Sequence, residues 1–214
     1  MIDTVSATVT KSARTRARVL DAAAHVFSEQ GYGARLSDIA EGAGIQTGSL
    51  YYHFASREEL VTEVLHIGIK TSWDHVRQAV DELAPDTEPI DKLAAAVRAH
   101  TMSILKSSDY ASAEARIVGQ VPPTVADAHR RDQRQYGAYW NDLFEAARAA
   151  GQLAPGLDLF VARMLAFGAM NWTAEWFGRQ RKADAATVAD NAVAMLIGGV
   201  SPRATDLYLN SNLY

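Results

Sequence analysis

Apolar residues recur at the spacing of an α-helix along almost the whole chain of 214 residues, whereas no run of useful length alternates as a β-strand would. The clearest face has four residues at i, i+3, i+4 and i+7: Leu20, Ala23, Ala24 and Phe27. A second face repeats the spacing: Leu36, Ile39, Ala40 and Ala43. Residues three or four positions apart lie on one side of a helix, so each face can be buried against a neighbour. The sequence therefore predicts an all-α fold.

Stops and caps along the chain divide this pattern into two parts. Gly31 and Gly44 are placed to end the first two helices, and residues 12–56 are expected to form a three-helix unit. Ser56 and Glu59 have the spacing of a capping box, which begins a long helix that runs to about residue 83. Five further helical patterns bring the total to about nine helices: residues 90–106, 110–120, 123–150, 157–177 and 185–197. The remaining divisions are a flexible extension (1–11), a helical body (57–200) and a tail (201–214).

Composition narrows the class of protein and its surroundings. The chain is 48% hydrophobic and has no cysteine, which excludes disulfides and thiolate metal sites. Neither a secretory leader nor a run of about 18 apolar residues is found, so we expect a cytoplasmic protein without a membrane partner. The net charge of −4 argues against a general polyanion binder, but four cations cluster near the start: Lys11, Arg14, Arg16 and Arg18. This basic leading edge is either a local nucleic-acid contact or a solvated helix start.

Residues 46–57, QTGSLYYHFASR, follow the amphipathic stretch SDIAEGAGI and complete a helix, a tight turn and a second short helix. With Leu50 pointing inward and about 100° per residue, Gly48 and Tyr52 point outward. Beside them stand side chains that can hydrogen-bond base edges or phosphates: Thr47, Ser49, Tyr51 and His53. Phosphate contacts are also expected from four surrounding groups: Lys11, Arg14, Ser37 and Arg57. The alternatives are that the two tyrosines pack between helices and that His53 is an ordinary boundary histidine.

Residues 34–60, ARLSDIAEGAGIQTGSLYYHFASREEL, resemble the DNA-binding domain of the TetR family of bacterial transcriptional regulators. The resemblance spans residues 12–65, about a quarter of the chain, with turn, recognition helix and following helix in register. It implies that Thr47, Ser49 and Tyr51 face the bases and that Tyr52, His53 and Arg57 face phosphates. Two positions depart from the family pattern. Arg35 stands where a capping Thr is usual, and Ala55 stands where a phosphate-binding Lys is common.

The same resemblance implies a carboxy-terminal domain that binds a small molecule and forms a homodimer. Such a dimer binds a near-palindromic operator whose two half-sites lie about 34–36 Å apart, or a multiple of that spacing. The candidates for effector binding are mostly aromatic or polar: Trp73, His100, Met102, Arg116, Tyr136, Trp140, Phe144, Phe167 and Asn171. Tyr136, Trp140 and Phe144 share one helix face at successive i, i+4 positions. For each candidate, ordinary core packing is the simpler alternative, and for Arg116 it is a salt bridge.

The segment from residue 157 to 177 is apolar on all sides, so such a helix needs neighbours on more than one side. A second subunit is one such neighbour, and a central position in a monomeric core is the alternative. Six residues of the last two helices are candidates for the dimer interface: Phe160, Met164, Trp172, Val188, Met195 and Leu196.

Residues 168–200 also resemble a subgroup associated with fatty-acid and steroid degradation, whose effectors are acyl-CoA thioesters. That resemblance would give six cations a role in binding the CoA phosphates, although exposed basic clusters are usually only solvated: Arg130, Arg131, Arg134, Arg179, Arg181 and Lys182.

Two other classes of protein are alternatives to a transcriptional regulator. The six histidines include no HExxH pair, and neither a glycine-rich phosphate loop nor a nucleophile elbow is present, so no enzyme, metal or cofactor is expected. The second class is a helical protein–protein interaction module that uses the short exposed helix to bind a partner protein. Salt dependence separates it from a DNA binder, whose affinity must fall steeply with ionic strength.

Overall fold

A computed structural model describes residues 10–106, 109–177 and 183–202, and all regular structure in these ranges is helical. The numbered helices are α1 (Lys11–Gln30), α2 (Leu36–Gly42), α3 (Arg57–Asp81), α4 (Pro89–Leu105), α5 (Asp109–Ile117), α6 (Pro123–Ala149), α7 (Leu159–Trp176) and α8 (Ala185–Val200). A short 3₁₀ helix, Thr47–Tyr52, lies between α2 and α3 and is called the recognition helix here. The predicted all-α class is confirmed. The tail from residue 203 onward and the cations at 179, 181 and 182 lie outside the described residues.

Local chemistry explains where the first helices begin and end. Thr10 caps α1 by accepting a hydrogen bond from the backbone N–H of Ala13 at 3.2 Å. Gly31, with φ 78°, ends the helix in a conformation that side chains rarely adopt. Ser56 caps α3 through the N–H of Glu59 at 3.1 Å, and the Glu59 carboxylate accepts from the N–H of Ala55 at 2.6 Å. The predicted box is therefore present, shifted by one residue on its return bond.

The amino-terminal core joins α1, α2 and the recognition helix to the first half of α3 and to α5. Phe27 of α1, Ile39 of α2 and Leu60 of α3 are fully or almost fully buried in it. Each such side chain contributes roughly 1.5–3 kcal/mol when removed from water. The predicted DNA-binding unit, formed by α1, α2 and the recognition helix, is thus fused to the body through α3 and α5. Its predicted boundary at residue 56 stays a prediction.

The second core lies among the end of α3, α4, α6 and α7, with α8 packed along α4. Its centre holds large side chains without solvent contact, among them Leu93 of α4, Trp140 of α6 and Met170 of α7. Asp158 caps α7 by accepting from two backbone N–H groups, at 2.9 and 3.1 Å. Within the described ranges, no helix has the length and apolar character needed to cross a bilayer.

Helix α5 lies between the two cores. The Tyr110 hydroxyl donates to Asp21 of α1 at 2.8 Å, and the Asp109 carboxylate lies 3.1 Å from Nδ1 of His25. On its other side α5 approaches α3 so closely that a Cβ at Gly68 would lie 2.7 Å from the Tyr110 carbonyl oxygen. Glycine is required here by this contact, and α5 is held against both α1 and α3.

Candidate DNA-binding surface and effector cavity

The recognition helix is a 3₁₀ helix, which corrects the α-helical geometry assumed from the sequence. A 3₁₀ helix advances 120° per residue, so positions three apart are aligned. Leu50 is its buried contact with the amino-terminal core, whereas Tyr52 is 89% exposed and Tyr51 is 59% exposed. Gly48 is exposed as well, and a Cβ there would meet nothing within 4 Å. The outward placement of these side chains agrees with the prediction; their contact with DNA stays a prediction.

The backbone around this helix fixes how far it stands from its support. The N–H of Ile45 bonds to the Ala40 carbonyl at 3.0 Å, which closes the turn after α2, and Gly44 has the positive φ of 65° that the turn requires. The N–H of Ser49 then bonds to the Gln46 carbonyl at 2.8 Å. Thr47 is exposed, and Ser49 and His53 are half-buried at the edge of the unit. The segment therefore presents a short ridge with both tyrosines at its crest.

Exposed polar and cationic groups on α1 and α2 accompany the ridge. Lys11 and Arg14 are exposed on the first turn of α1. Ser37, on the first turn of α2, is exposed and donates to the Asp38 carboxylate at 3.1 Å. Arg18, expected from the sequence only as part of the basic leading edge, is also exposed, and its Nη1 lies 3.8 Å from where a Cβ at Gly44 would stand. Its i, i+7 spacing from Lys11 was the available signal for an individual contact.

For Arg57, the structure corrects the predicted contact with a phosphate. Its guanidinium donates to the carbonyl oxygens of Ala34, at 2.8 Å, and of Tyr32, and it stands over the rings of Tyr32 and Phe27 at 4.9 and 5.5 Å. These contacts tie the loop between α1 and α2 to the start of α3. Arg57 therefore positions the DNA-binding unit, and its fork of donors is used inside the protein.

Arg16 also differs from its neighbours in the basic leading edge. Both of its terminal nitrogens donate to the Glu63 carboxylate of α3, and its guanidinium lies 4.6 Å from the centre of the Phe54 ring. The bond to Glu63 raises the pKa of Arg16. The residue thus fastens α1 to α3, which removes it from the predicted DNA-contacting cations of the leading edge.

The helical body contains a partly open cavity of about 600 Å³. Helices α3 to α7 and the residue after α5 line it, and four of the predicted effector residues are on its wall: His100, Tyr136, Phe167 and Asn171. A volume of this size suits a small organic molecule. Among the predicted dimer residues, Met164 and Trp172 line the cavity too.

The other five effector candidates do not line this cavity, which corrects the prediction made for them. Trp140 and Phe144 are buried in the second core behind the wall, where Trp140 packs edge-on against Phe167 with ring centres 5.1 Å apart. Trp73 stands behind Tyr136, with ring centres 6.0 Å apart. Met102 does not reach the cavity. Arg116 projects from α5 toward Gly31, where its Nε would lie 3.7 Å from an added Cβ, so it faces the DNA-binding unit.

One buried line of hydrogen bonds reaches the cavity wall. Nδ1 of His100 lies 2.9 Å from the Tyr136 hydroxyl, and Nε2 lies 3.1 Å from Oδ1 of Asn171. Burial lowers the pKa of His100 to about 4, with the bond to Asn171 opposing the shift. Burial also raises the pKa of Tyr136. Both groups are therefore neutral at pH 7, and the line carries no net charge into the second core.

Charged groups occur elsewhere on the cavity wall. Glu114 of α5 and Glu175 of α7 line it together with Arg163. The Arg163 guanidinium donates to the Gly137 carbonyl, while its buried Nε–H has no acceptor among the described residues. Glu114 Oε1 lies 3.2 Å from Nε2 of the buried His129 without the alignment of a hydrogen bond. The described residues contain no cluster of side chains that could hold a metal ion.

A second apolar surface lies on the outside of α7 and α8. Leu165 is 69% exposed and Met195 is 76% exposed, and the predicted Phe160, Met164 and Trp172 are also exposed. Sequence reasoning missed three exposed apolar residues that extend the same face: Val161, Leu165 and Trp176. The prediction that Val188 belongs to the dimer interface is corrected, because Val188 is buried within the protomer. Leu196 is partly buried against the second core. Large exposed apolar faces of this kind mark protein interfaces.

These features define a helix-turn-helix DNA-binding protein whose helical body contains a ligand-sized cavity. Residues 19–64 match the family model for bacterial regulatory proteins of the tetR family, and residues 86–200 match the model for the tetracyclin repressor-like C-terminal domain. The chain belongs to the TetR family. Proteins of this family are transcriptional regulators rather than enzymes, and they bind operator DNA as dimers under the control of small molecules.

Several individual relatives align with most of this chain. The HTH-type transcriptional repressor KstR2 of Mycobacterium tuberculosis is 28% identical over 191 residues, 87% of this chain and 92% of that protein. The solved structure of this ketosteroid transcriptional regulator aligns with a TM-score of 0.70 over 87% of this chain and 94% of its own. The fatty acid metabolism regulator protein of Bacillus subtilis is 24% identical over 86% of this chain and 94% of its own. AibR, solved with isovaleryl coenzyme A and operator DNA, shares the fold at 20% identity, with a TM-score of 0.76 over 88% of this chain and 98% of its own.

Proposed function

We propose that this chain is a repressor that binds a near-palindromic operator as a homodimer and leaves it when an effector occupies the cavity. The observation that carries the proposal is the exposed ridge of the recognition helix, with Tyr51 and Tyr52 at its crest and Leu50 buried beneath it. On this ridge Thr47, Ser49 and Tyr51 face the bases. Tyr52, His53, Ser37, Lys11 and Arg14 face phosphates.

The apolar face of α7 and α8 is the proposed dimer interface. A two-fold axis through this face would bury the exposed Leu165 and Met195 of both protomers, together with their apolar neighbours. Dimerisation sets the separation of two recognition helices, so the operator half-sites are expected about one helical turn apart or a multiple of it. A dimer that binds chromosomal DNA would act in the cytoplasm.

The proposed effector is a small apolar molecule or the acyl part of an acyl-CoA. Relatives named for fatty-acid and ketosteroid regulation support this class. Among the described residues, the cavity wall carries the carboxylates of Glu114 and Glu175 and the guanidinium of Arg163, so it is not a strongly cationic site for a polyanion. The phosphates of a CoA would therefore lie outside, near Arg131 and Arg134 of α6. Arg130 is the weaker candidate because it pairs with Asp127.

Release of the operator requires the effector to bind the two states differently. A change from 99:1 to 1:99 needs about 10⁴-fold, or roughly 5.5 kcal/mol, of differential affinity. The decisive experiment is a fluorescence-polarisation titration of the full chain against the DNA upstream of its own gene, repeated with fatty acyl-CoA esters. Nanomolar binding that the esters weaken would support the proposal. Binding that no ester changes would remove the effector class and leave the repressor.

Two variants test the ridge itself. Tyr52→Ala is expected to weaken operator binding about tenfold, whereas Tyr52→Phe isolates the loss of its phosphate-facing hydroxyl. Neither change should alter thermal unfolding, because the side chain is 89% exposed. Salt dependence separates DNA binding from the protein–protein alternative: log K should fall with log salt by about 0.9 for each phosphate neutralised. A flat salt response with a protein partner would favour the interaction module instead.

A further inference from the structure

The hydrogen bonds at the inner wall of the cavity run in one direction only. Oδ1 of Asn171 is an acceptor, so the hydrogen between it and His100 must be on Nε2. The imidazole is neutral because it is buried, which leaves a lone pair on Nδ1. Tyr136 must then donate its hydroxyl hydrogen to Nδ1. Tautomer and amide orientation are thus fixed together by one chain of donors and acceptors.

The orientation decides which face of the amide is available to a ligand. With Oδ1 engaged by His100, the two N–H donors of Asn171 have no acceptor among the described residues, and Asn171 is an exposed residue on the cavity wall. The adjoining wall is apolar, formed by Phe167 of α7 and Ile104 of α4. The buried Nε–H of Arg163, two turns away on α7, likewise has no acceptor. Beside the carboxylates of Glu114 and Glu175, this wall therefore also carries N–H donors that can bind an acceptor on a ligand.

We propose that Asn171 is the polar recognition point of the cavity and donates an N–H to a carbonyl oxygen on an otherwise apolar effector, with Tyr136 and His100 holding the amide in that orientation. The inference rests on the proposed function, and it specifies the chemistry that the cavity recognises. An acceptor opposite Asn171 forms the missing bond, whereas a methylene group there leaves the amide without a partner. Discrimination of about tenfold is expected from one such bond.

His100 and Tyr136 are positioning residues in this arrangement. The ring of His100 packs against Phe167 at 5.2 Å and Trp140 at 5.8 Å, both edge-on, so it cannot turn freely. Loss of the Tyr136 hydroxyl frees Nδ1 to take the hydrogen, and the Asn171 amide can then invert. An inverted amide would present its oxygen to the cavity and reject a carbonyl.

The test measures direct binding to the full chain without DNA. Two sources of a carbonyl are compared, each with a matched analogue that lacks it: 2-decalone with decalin, and S-methyl octanethioate with methyl octyl sulfide. Thermal stabilisation at equal free concentrations reports the affinities. At least one carbonyl probe is expected to bind about tenfold tighter than its analogue, and the pair that shows this identifies a ketone or a thioester as the source.

Variants assign the preference to the proposed groups. Asn171→Leu should abolish the carbonyl preference while the hydrocarbon or sulfide still binds, and Asn141→Leu on α6, whose side chain is not on the cavity wall, is the matched control. Tyr136→Phe should reduce the preference and change the ¹⁵N imidazole spectrum of His100, which in the wild type is expected to show hydrogen on Nε2 alone. Equal affinities within both pairs, a preference that survives Asn171→Leu, or a wild-type imidazole with hydrogen on Nδ1 would each refute the proposal. Operator binding is measured separately, so a failure here leaves the repressor intact, and a carbonyl preference without operator release would count against the effector role alone.

Discussion

Gly68 offers the sharpest test of how α5 is held between the two cores. A Cβ at this position would lie 2.7 Å from the carbonyl oxygen of Tyr110 and 3.1 Å from Cβ of Glu114. Separations under 3.0 Å essentially never occur for real Cβ atoms, and the closer neighbour is backbone, which cannot rotate away. Gly68→Ala must therefore displace α5 from α3.

The expected loss combines two opposing effects. Overpacking a close helix contact costs about 1–3 kcal/mol, whereas replacing glycine by alanine inside a helix returns up to about 1 kcal/mol. We expect Gly68→Ala to lower the free energy of unfolding by about 1–2 kcal/mol, measured by urea denaturation at a fixed protein concentration.

The matched control is Gly137→Ala in α6. There the nearest neighbour of the new Cβ is Nη1 of Arg163 at 3.2 Å, the end of a flexible side chain that can move by a few tenths of an ångström. The gain of up to about 1 kcal/mol from replacing glycine inside a helix applies here too, so we expect either little change or a stabilisation of up to about 1 kcal/mol. Equal effects of the two substitutions, or a Gly68→Ala protein as stable as the wild type, would show that α5 is not held as tightly as the separation implies.

Three further predictions concern the corrected and newly found residues. Arg57→Ala should destabilise the protein by about 1–3 kcal/mol because it frees two backbone carbonyls, and thermal unfolding should show this; reduced DNA affinity without destabilisation would restore Arg57 to the phosphates. Leu165→Glu should shift sedimentation toward the monomer while Ala138→Glu, exposed on α6, does not; an unchanged dimer would place the interface elsewhere. Because burial lowers the pKa of His100 to about 4, the unfolded chain binds the extra proton between pH 6.5 and 4, so stability should fall by about 3 kcal/mol as the pH drops through that window. His100→Gln should lack this part of the pH dependence in denaturation curves, and an identical slope in both proteins would contradict the assigned burial.

Sequence reasoning placed the helices well because their ends are determined locally. The left-handed φ of Gly31 and the side-chain cap of Ser56 involve only neighbouring residues, so both are legible in the sequence. The recognition helix is different because its six residues are too few for the apolar spacing to separate 100° from 120° per residue. Gly48, Tyr51 and Tyr52 were still placed on the outside correctly, since Leu50 alone fixes which side faces inward. Thr47, expected nearer the core edge, is exposed instead.

The errors arise where a side chain has two possible neighbours. Arg57 carries donors that suit a phosphate or a backbone carbonyl equally well, and only the fold shows that the loop between α1 and α2 lies within its reach. Val188 belongs to an apolar helix whose periodicity cannot say which face meets the second core and which remains outside. Likewise, the aromatic spacing of Tyr136 and Trp140 was recognised, but which ring borders a cavity depends on the space that packing leaves empty.

Helix α5 connects the cavity to α1, so it can link effector binding to the proposed control of DNA binding. Glu114, on this nine-residue helix, lines the cavity, while Asp109 and Tyr110 at its start contact α1. This one helix therefore contacts both the cavity and α1 of the DNA-binding unit. An occupant that needs more room beside Glu114 must displace α5, because Gly68 leaves no free space between α5 and α3. The close packing of α5 against α3 therefore makes the position of α5 sensitive to what enters the cavity.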